Sequence, residues 1–286
     1  MRNSDVGAEH RVWNVRGRAL VLDRVLIMGI VNVTPDSFAD GGKYFSHTDA
    51  LAHARQLIDE GADIIDIGGE STRPGADEVP SGEEIKRVAP LFEALGDISI
   101  PLSVDTSKPE VMRAALAAGA SIVNDVRALQ QPGAAEVVAE YACGVVLMHM
   151  QGTPRTMQQA PYYSDVTKDV VQFLAQRVQF AQRQGIHKDR IAVDPGFGFG
   201  KTDAHNFTLL SELSELGRMH VPLVVGLSRK GTLGRVSGRA VGDRASASVA
   251  AALLAAERGA DVVRVHDVAA TRDALSVLQA MRDATR

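Results

Sequence analysis

Eight short apolar runs recur along the chain, and each of them ends in a polar or glycine-rich loop. The runs are almost continuously apolar and rich in β-branched residues, as expected of parallel strands that are covered on both faces. They are VLIMGIVN (25–32), DIIDIGG (63–69), PLSVDT (101–106), SIVNDV (121–126), GVVLMHM (144–150), RIAVDPG (190–196), PLVVGLS (222–228) and VVRVHDV (262–268).

Stretches with helical periodicity separate these runs, most clearly over 48–62, 108–120, 166–185 and 244–260. Eight strands alternating with helices predict an α/β fold, a (β/α)8 TIM barrel. An open Rossmann-type sheet is the alternative, but no GxGxxG follows the first strand. We expect one domain over residues 1–286, with the barrel over 25–283.

The segment VWNVRGRALVLD (12–23) precedes the first barrel strand and predicts a short β-hairpin that turns at Arg16 and Gly17. We expect this hairpin to close the floor of the barrel.

Composition narrows the function classes. The net charge is −4 and basic residues are spread along the chain, so we expect no nucleic-acid partner. The single cysteine, Cys143, excludes a disulfide within the chain and indicates a reducing compartment. The first residues have no apolar signal-peptide core, and no run of about 20 apolar residues occurs. These features predict a cytoplasmic protein without a membrane span.

In TIM barrels the active site lies at the carboxyl ends of the strands. Strands that simply end in polar residues would explain only part of the polar groups found there. A carboxylate inside an apolar strand, such as Asp105, costs several kcal/mol unless something bonds to it. The polar residues at these ends are Asn32, Glu70, Thr72, Arg73, Asp105, Asn124, Asp125, His149, Asp194, Ser228, Lys230, Arg264 and His266.

Cations gather at the same end of the predicted barrel. Arg264 and His266 share one face of their strand because strand side chains alternate, and Lys230 begins a predicted helix. With Arg73 they indicate an anion site above two deeper acids, Asp105 and Asp194, which would suit a phosphorylated heterocycle. The alternative is that Arg264 pairs with a neighbouring aspartate.

The stretch DPGFGFGKT (194–202) is similar to a phosphate-binding loop but departs from it. A Walker A loop requires glycine where this chain has Pro195, which also has no N–H to donate. We instead expect Asp194 to point into the barrel, and the glycines to let Phe197 or Phe199 approach a ligand. The loops 32–46 and 68–84 have the composition of active-site lids, or of ordinary surface loops.

These motifs together resemble the dihydropteroate synthase family, in the family's order and over nearly the whole chain. The matching segments are MGIVNVTPDSFADGG (28–42), GGESTRPGA (68–76), VDTSKPEV (104–111), NDV (124–126), LMHMQGTP (147–154), DPGFGFGKT (194–202), GLSRK (226–230) and RVHDV (264–268). The resemblance implies joining of p-aminobenzoate to 6-hydroxymethyl-7,8-dihydropterin diphosphate with release of diphosphate. It also implies assistance by Mg2+, inhibition by sulfonamides, and a homodimer, for which the alanine-rich stretch 246–256 is a candidate interface.

The resemblance also implies residue roles. Asp105, Asn124, Asp194 and Lys230 would hold the pterin ring. The diphosphate would be held by Asn32, Thr72, Arg264 and His266, with Asn32 touching the metal. The p-aminobenzoate would be surrounded by Phe38, Arg73, Pro74, Phe199 and Lys230. The residues expected to act in catalysis are Lys230, Arg264, His266, Asp105 and Asp194.

Two other functions remain open from sequence: a pterin-dependent methyltransferase domain and a non-catalytic pterin-binding homologue. A methyltransferase would not need the diphosphate site that Arg264 and His266 indicate. One departure from the family pattern is Gly231, which stands where family members usually have serine near the p-aminobenzoate carboxylate. We interpret His149 as a core histidine with a satisfied hydrogen bond, or as a residue that supports the site.

Overall fold

In the computed structural model, residues 11–33, 47–72 and 75–285 are described. The strands are β1 (Val12–Val15), β2 (Arg18–Val21), β3 (Leu26–Asn32), β4 (Ile64–Gly68), β5 (Leu102–Asp105), β6 (Ile122–Asp125), β7 (Gly144–Met148), β8 (Ile191–Asp194), β9 (Val224–Val225) and β10 (Val262–Val265). The helices are α1 (His47–Asp59), α2 (Ser81–Ala94), α3 (Pro109–Ala117), α4 (Ala134–Tyr141), α5 (Val166–Arg183), α6 (Asp203–Ser211), α7 (Gly231–Ser237), α8 (Ala245–Glu257) and α9 (Val268–Asp283). Short 3-10 segments cover Lys188–Arg190, Leu213–Met219 and Val241–Asp243.

Strands β3 to β10 form one parallel sheet in the order β8-β7-β6-β5-β4-β3-β10-β9. The two ends of this order meet, because Val193 of β8 forms a parallel bridge with Leu223, directly before β9. The amide of Val193 also donates to the carbonyl of Pro222 at 2.9 Å. The sheet is therefore closed into a barrel, and the predicted TIM-barrel fold is confirmed.

Alternation along the strands builds two apolar layers. Val104, Val123, Val263 and Val265 point outward into the layer between strands and helices. Inward-facing side chains fill the lower half of the barrel. They are Leu26, Met28, Ile64, Ile122, Val146, Ala192, Val224 and Val262. The polar residues of these strands therefore lie at the other end of the barrel, where the strands have their carboxyl ends.

The N-terminal hairpin of β1 and β2 closes the floor as predicted. Its two-residue turn has Arg16 at φ 50° and Gly17 at φ 79°, the positive values that such a turn requires. Trp13 is fully buried in the inner layer, and its indole Nε1 donates to the carbonyl of Arg190 at 3.0 Å. Val15 packs so closely on Gly144 that a Cβ there would lie 2.6 Å from Val15 Cγ1.

The loop predicted over 68–84 is shorter than expected, because α2 already begins at Ser81. Glu83 and Glu84 occupy the first turn of that helix, where the helix dipole favours acids. Residues 34–46 of the other predicted lid, and Arg73 and Pro74, lie outside the described residues. Among the described residues, none of the helices has the length and apolar character needed to cross a membrane.

Candidate active site

A row of residues crosses four neighbouring strands at the mouth of the barrel. Asn32 of β3 aligns with Gly68 of β4, which aligns with Asp105 of β5 and then with Asn124 of β6. Gly68 leaves room in this row, since a Cβ there would lie 3.4 Å from Asp105 Cβ and 3.7 Å from Asn32 Oδ1. Asn32 and Asp105 therefore border one opening.

Arg264 of β10 reaches down into the acids of the site. Its Nη2 lies 2.7 Å from Asp105 Oδ2, and its Nε lies 2.6 Å from Asp66 Oδ2. Burial alone would lower the pKa of Arg264, but the charges of Asp66 and Asp105 outweigh burial and raise it. The pairing of Arg264 with neighbouring aspartates, which the sequence left open as the alternative, is therefore present in this structure, and Arg264 does not stand apart from the acids.

Asp66 was missed by the sequence analysis. It lies in the middle of β4, is 0% exposed, and accepts at Oδ2 from Asn124 Nδ2 at 3.1 Å as well as from Arg264. Its Oδ1 is buried and has no hydrogen-bond partner among the described residues. The signal was present in DIIDIGG, because a carboxylate inside an apolar run is the same feature that singled out Asp105 in PLSVDT.

Asp105 and Asp194 lie at the same end of the barrel as Arg264. A Cβ on Gly226 would be 3.8 Å from Arg264 Cβ and 3.9 Å from Asp194 Oδ2, so these two side chains meet beside that glycine. Burial raises the pKa of Asp105 to about 7, with Arg264 opposing and Asp66 adding to the rise. Burial also raises the pKa of Asp194, against the charge of Lys230.

Lys230 completes the cluster from the loop before α7. Its Nζ donates to the carbonyl of Phe197 and lies 4.4 Å from the centre of the Phe199 ring. Burial lowers the pKa of Lys230 to about 8, although Asp194 and Asp105 oppose this effect. Of the two phenylalanines expected near a ligand, Phe199 borders the site, whereas Phe197 is fully buried in the layer between strands and helices.

The glycines of DPGFGFGKT allow the backbone conformation of this loop. Gly196, Gly198 and Gly200 have φ values of 67°, 78° and 65°, a region that favours glycine. A Cβ on Gly196 would lie 1.8 Å from the carbonyl oxygen of His149, so the loop approaches the end of β7 too closely for any side chain.

Lys201 is 2% exposed and is bonded within this loop. Its Nζ contacts His149 Nδ1 at 2.9 Å and the carbonyls of Gly196 at 2.8 Å and Phe199 at 3.1 Å. Burial lowers the pKa of Lys201 well below its usual value, and these three contacts turn its Nζ into the loop, so Lys201 is not available to bind a phosphate. Burial is the main cause that lowers the pKa of His149 to about 3, and the charge of Lys201 adds to this effect. His149 is therefore a neutral, buried histidine that supports this loop.

Of the remaining predicted residues, His266 directly follows β10 and Thr72 lies in the loop after β4. The His266 ring is held by Ser228, whose Oγ lies 2.9 Å from His266 Nδ1. Thr72 is half-buried in the loop after β4. Phe38, like Arg73 and Pro74, lies outside the described residues.

A buried ion network at the base of the second loop was also missed. Lys108 Nζ lies 2.6 Å from Glu84 Oε2 and 3.0 Å from Glu70 Oε2, and it donates to the carbonyl of Val79 at 2.7 Å. Glu70 in turn accepts from the amide of Val79 at 2.7 Å. The network fastens the loop after β4 to α2 and to the start of α3.

Asn32 is the residue that the sequence predicts to contact a metal ion. Over the described residues, no three His, Cys, Asp or Glu side chains group in a way that could bind a metal. Magnesium in enzymes typically keeps several waters and takes one or two protein oxygens plus substrate phosphates. Asn32 offers one amide oxygen beside Asp105, which fits a metal that arrives with an anionic substrate.

The fold and these contacts define a class of protein: a closed (β/α)8 barrel with buried acids and cations gathered at the carboxyl end of its strands. A profile of the family described as "Pterin binding enzyme" matches residues 28–266.

Similarity to known proteins identifies a narrower family within this class. Dihydropteroate synthase from Escherichia coli is 48% identical over 266 residues, which cover 93% of this chain and 94% of that protein. A solved structure of Xanthomonas albilineans dihydropteroate synthase with 4-aminobenzoic acid has 54% sequence identity and a TM-score of 0.90, covering 96% of this chain and 98% of that one. The Yersinia pestis enzyme in a sulfonamide drug complex has 47% identity and a TM-score of 0.92, with coverages of 95% and 99%. The chain therefore belongs to the pterin-binding enzymes and, within them, to the dihydropteroate synthases.

Proposed function

We propose that this protein condenses p-aminobenzoate with 6-hydroxymethyl-7,8-dihydropterin diphosphate, forming 7,8-dihydropteroate and releasing diphosphate. The observation that carries this proposal is the convergence of Asp105, Asn124, Asp194, Lys230 and Arg264 at one end of a closed barrel. That set can hold a ring by its polar edge while cations remain close to an anionic leaving group. Membership of the dihydropteroate synthases supports the same reaction.

The pterin ring would lie deepest. Asp105 and Asp194 would accept the N–H donors of its aminopyrimidinone edge, and Lys230 and Asn124 would bond its acceptors. Both carboxylates are buried, so each gains from the hydrogen bonds that a ring supplies in place of water.

The diphosphate would lie above the ring, at the mouth. Arg264 and His266 of the β10 end, Thr72 after β4 and Asn32 at the end of β3 would bind it. Magnesium, held by Asn32 and the diphosphate, would supply positive charge that stabilises the leaving group.

The p-aminobenzoate would lie over the ring of Phe199 and beside Lys230, whose Nζ contacts that ring. By resemblance, Phe38, Arg73 and Pro74 would complete that pocket. An arylamine is already a nucleophile, so these residues need to place it close to the reacting carbon rather than deprotonate it.

The chemical step is cleavage of the C–O bond at the pterin methylene. We infer a dissociative, SN1-like path, because the ring can delocalise the positive charge left on carbon and Asp105 and Asp194 would stabilise that cation. A secondary kinetic isotope effect at the methylene clearly above unity supports this path, and a value near unity contradicts it.

Diphosphate release in the presence and absence of p-aminobenzoate tests the proposed function. Release that requires both substrates supports a synthase. Binding of the pterin substrate without release would support a non-catalytic homologue, and transfer of a methyl group to a corrinoid protein would support a methyltransferase. Given the sulfonamide complex of the Yersinia pestis enzyme, we also propose that sulfonamides compete with p-aminobenzoate here.

We further propose a cytoplasmic homodimer. Exposed apolar side chains on α8 and α9 are candidates for its interface, namely Leu254, Val277 and Met281. Leu254 lies within the stretch 246–256 that the sequence indicated. Light scattering of the purified protein gives the mass that decides between monomer and dimer.

A further inference from the structure

Asp66 is the deepest acid of the candidate site. It pairs in register with Ser103 on β5, one inward-facing row below the row of Asp105 and Asn124. It is 0% exposed, and placing a carboxylate there is costly unless its partners need it. None of the roles proposed above uses it.

One oxygen of Asp66 links Asn124, which is assigned above to the pterin ring, with Arg264, which is assigned to the diphosphate. Oδ2 accepts from Arg264 Nε at 2.6 Å and from Asn124 Nδ2 at 3.1 Å. Arg264 lies two strands away on one side of β4, and Asn124 lies two strands away on the other. The contact holds the Asn124 amide with its nitrogen toward Asp66 and its oxygen turned away, and it fixes Arg264 at Nε so that Nη2 reaches Asp105.

Asp66 also sets the charge of the site. The side chains of Asp66, Asp105 and Asp194 carry one more potential negative charge than Arg264 and Lys230 balance. Within the described part of the chain, its Oδ1 is buried and has no hydrogen-bond partner. The carboxylate therefore acts on its neighbours through the low-dielectric interior, where charge is poorly screened.

We propose that Asp66 is a positioning residue for the pterin substrate, which holds Arg264 and Asn124 in their binding orientation and supplies negative charge beneath the ring. This inference rests on the proposed function. Asp66 touches neither substrate and acts through the two residues that it bonds.

Asp66→Asn is the direct test, because it keeps the shape and an accepting oxygen but removes the charge. The value of kcat/KM for the pterin diphosphate is expected to fall about tenfold or more, since hydrogen bonds to charged groups are the strong ones. The KM for p-aminobenzoate is expected to stay unchanged. Ser103→Ala is the matched control: Ser103 is the register partner of Asp66 and is equally buried, and its hydroxyl has no hydrogen-bond partner over the described ranges. Loss of this hydroxyl is expected to leave both constants unchanged.

The pH profile separates this role from a merely structural one. The charged groups that act on Asp105 are Arg264 of β10, Asp66 of β4, Glu84 of α2, Asp125 of β6 and Lys230 before α7. The negative charge of Asp66 helps to raise the pKa of Asp105. In Asp66→Asn the acid limb of kcat/KM is therefore expected to move to lower pH. If the substitution merely loosened the site and released Arg264 from Asp105, the acid limb would instead move to higher pH.

A double variant tests whether Asp66 acts through Arg264. If it does, the losses in Asp66→Asn and Arg264→Lys are less than additive when combined, as for residues in one network. Melting curves establish that each variant is folded. Should Asp66→Asn not fold, Asp66→Glu is measured in its place: it keeps the charge but displaces it, so kcat/KM falls while the acid limb stays where it is in the unsubstituted protein.

The outcomes distinguish this inference from the proposed function. An unsubstituted protein that does not make dihydropteroate overturns both. An active unsubstituted protein whose folded Asp66→Asn variant keeps the same kcat/KM and the same acid limb overturns the role of Asp66 alone.

Discussion

Arg264 Nη2 lies 2.7 Å from Asp105 Oδ2, so a cation from one strand and an acid from another share a hydrogen bond within the candidate site. The same guanidinium contacts Asp66 through Nε. A planar group with several donors can span two acids in this way, and a lysine ammonium is a point charge that cannot reproduce the geometry.

Arg264→Lys tests this relationship. We expect kcat/KM for the pterin diphosphate to fall by about tenfold or more, because at least one charged hydrogen bond is lost while the net charge stays the same. Steady-state kinetics of diphosphate release measures the change. Arg113→Lys is the control, since Arg113 pairs with Glu140 on the exposed surface and its replacement should leave the kinetics unchanged. Equal activity in both variants would contradict the role of Arg264.

The pH dependence of kcat/KM should be bell-shaped. This ratio reports groups of the free enzyme. Burial raises the pKa of Asp105 to about 7, so the ionised form that accepts ring donors is lost as pH falls below that value. Burial lowers the pKa of Lys230 to about 8, so its positive charge is lost as pH rises above that value.

Lys230→Arg provides the check on the alkaline limb, because an arginine stays charged in this range. The alkaline limb should disappear while the acid limb remains. A profile that is flat through neutrality in the unsubstituted protein would show that Asp105 and Lys230 do not titrate as described.

His149 makes stability depend on pH. Burial lowers the pKa of His149 from 6.5 to about 3. Below pH 6.5 the unfolded chain takes up a proton that the folded protein excludes, so the folded state loses stability as pH falls toward 3. His149→Asn removes this loss of stability because asparagine does not titrate. Its side-chain oxygen can still accept a hydrogen bond from Lys201.

Denaturant unfolding at several pH values measures the effect. Between about pH 6 and about pH 4 the free energy of unfolding of the unsubstituted protein should fall relative to His149→Asn by about 1.4 kcal/mol per pH unit. Parallel curves for the two proteins would mean that His149 is not held neutral.

Gly231 offers a test of specificity for p-aminobenzoate. It is the first residue of α7, and a Cβ there would lie 2.9 Å from Arg235 Nη1, which is the end of a flexible side chain. Arg235 is held by a 2.6 Å contact with Asp203 and must shift slightly. Gly231→Ser should lower the KM for p-aminobenzoate by about two- to tenfold, the value of one hydrogen bond.

Gly231→Ala is the matched variant, because it adds the Cβ without the hydroxyl. Its KM should equal that of the unsubstituted protein. If serine and alanine have the same effect, the hydroxyl is not responsible, and if neither has an effect, Gly231 is not a determinant of affinity.

Strand periodicity was sufficient to predict the barrel because each strand is a local pattern. The runs around Asp105 and Asp194 ended where the structure ends β5 and β8, within two residues. The hairpin turn at Arg16 and Gly17 was equally local. The start of α2 was missed because the prediction gave the Gly, Pro and Ser residues near it to a loop, whereas Pro80 is the N-cap of that helix.

The contacts within the site were not predictable from local pattern. Asp66 and Arg264 are 198 positions apart in the chain, and only closure of the barrel brings them together. The fold likewise brings Lys201 into contact with His149, although the sequence motifs place these two residues in separate segments. The polar residues at strand ends indicated which side chains lie close together, but not which hydrogen-bond partner each of them has.

A crystal structure with the pterin diphosphate and magnesium tests the central claim most directly. We predict the ring against Asp105, Asn124 and Asp194, with the diphosphate toward Arg264, His266 and Asn32. A ligand bound with its diphosphate toward the acids, or bound outside the carboxyl end of the barrel, would contradict the account.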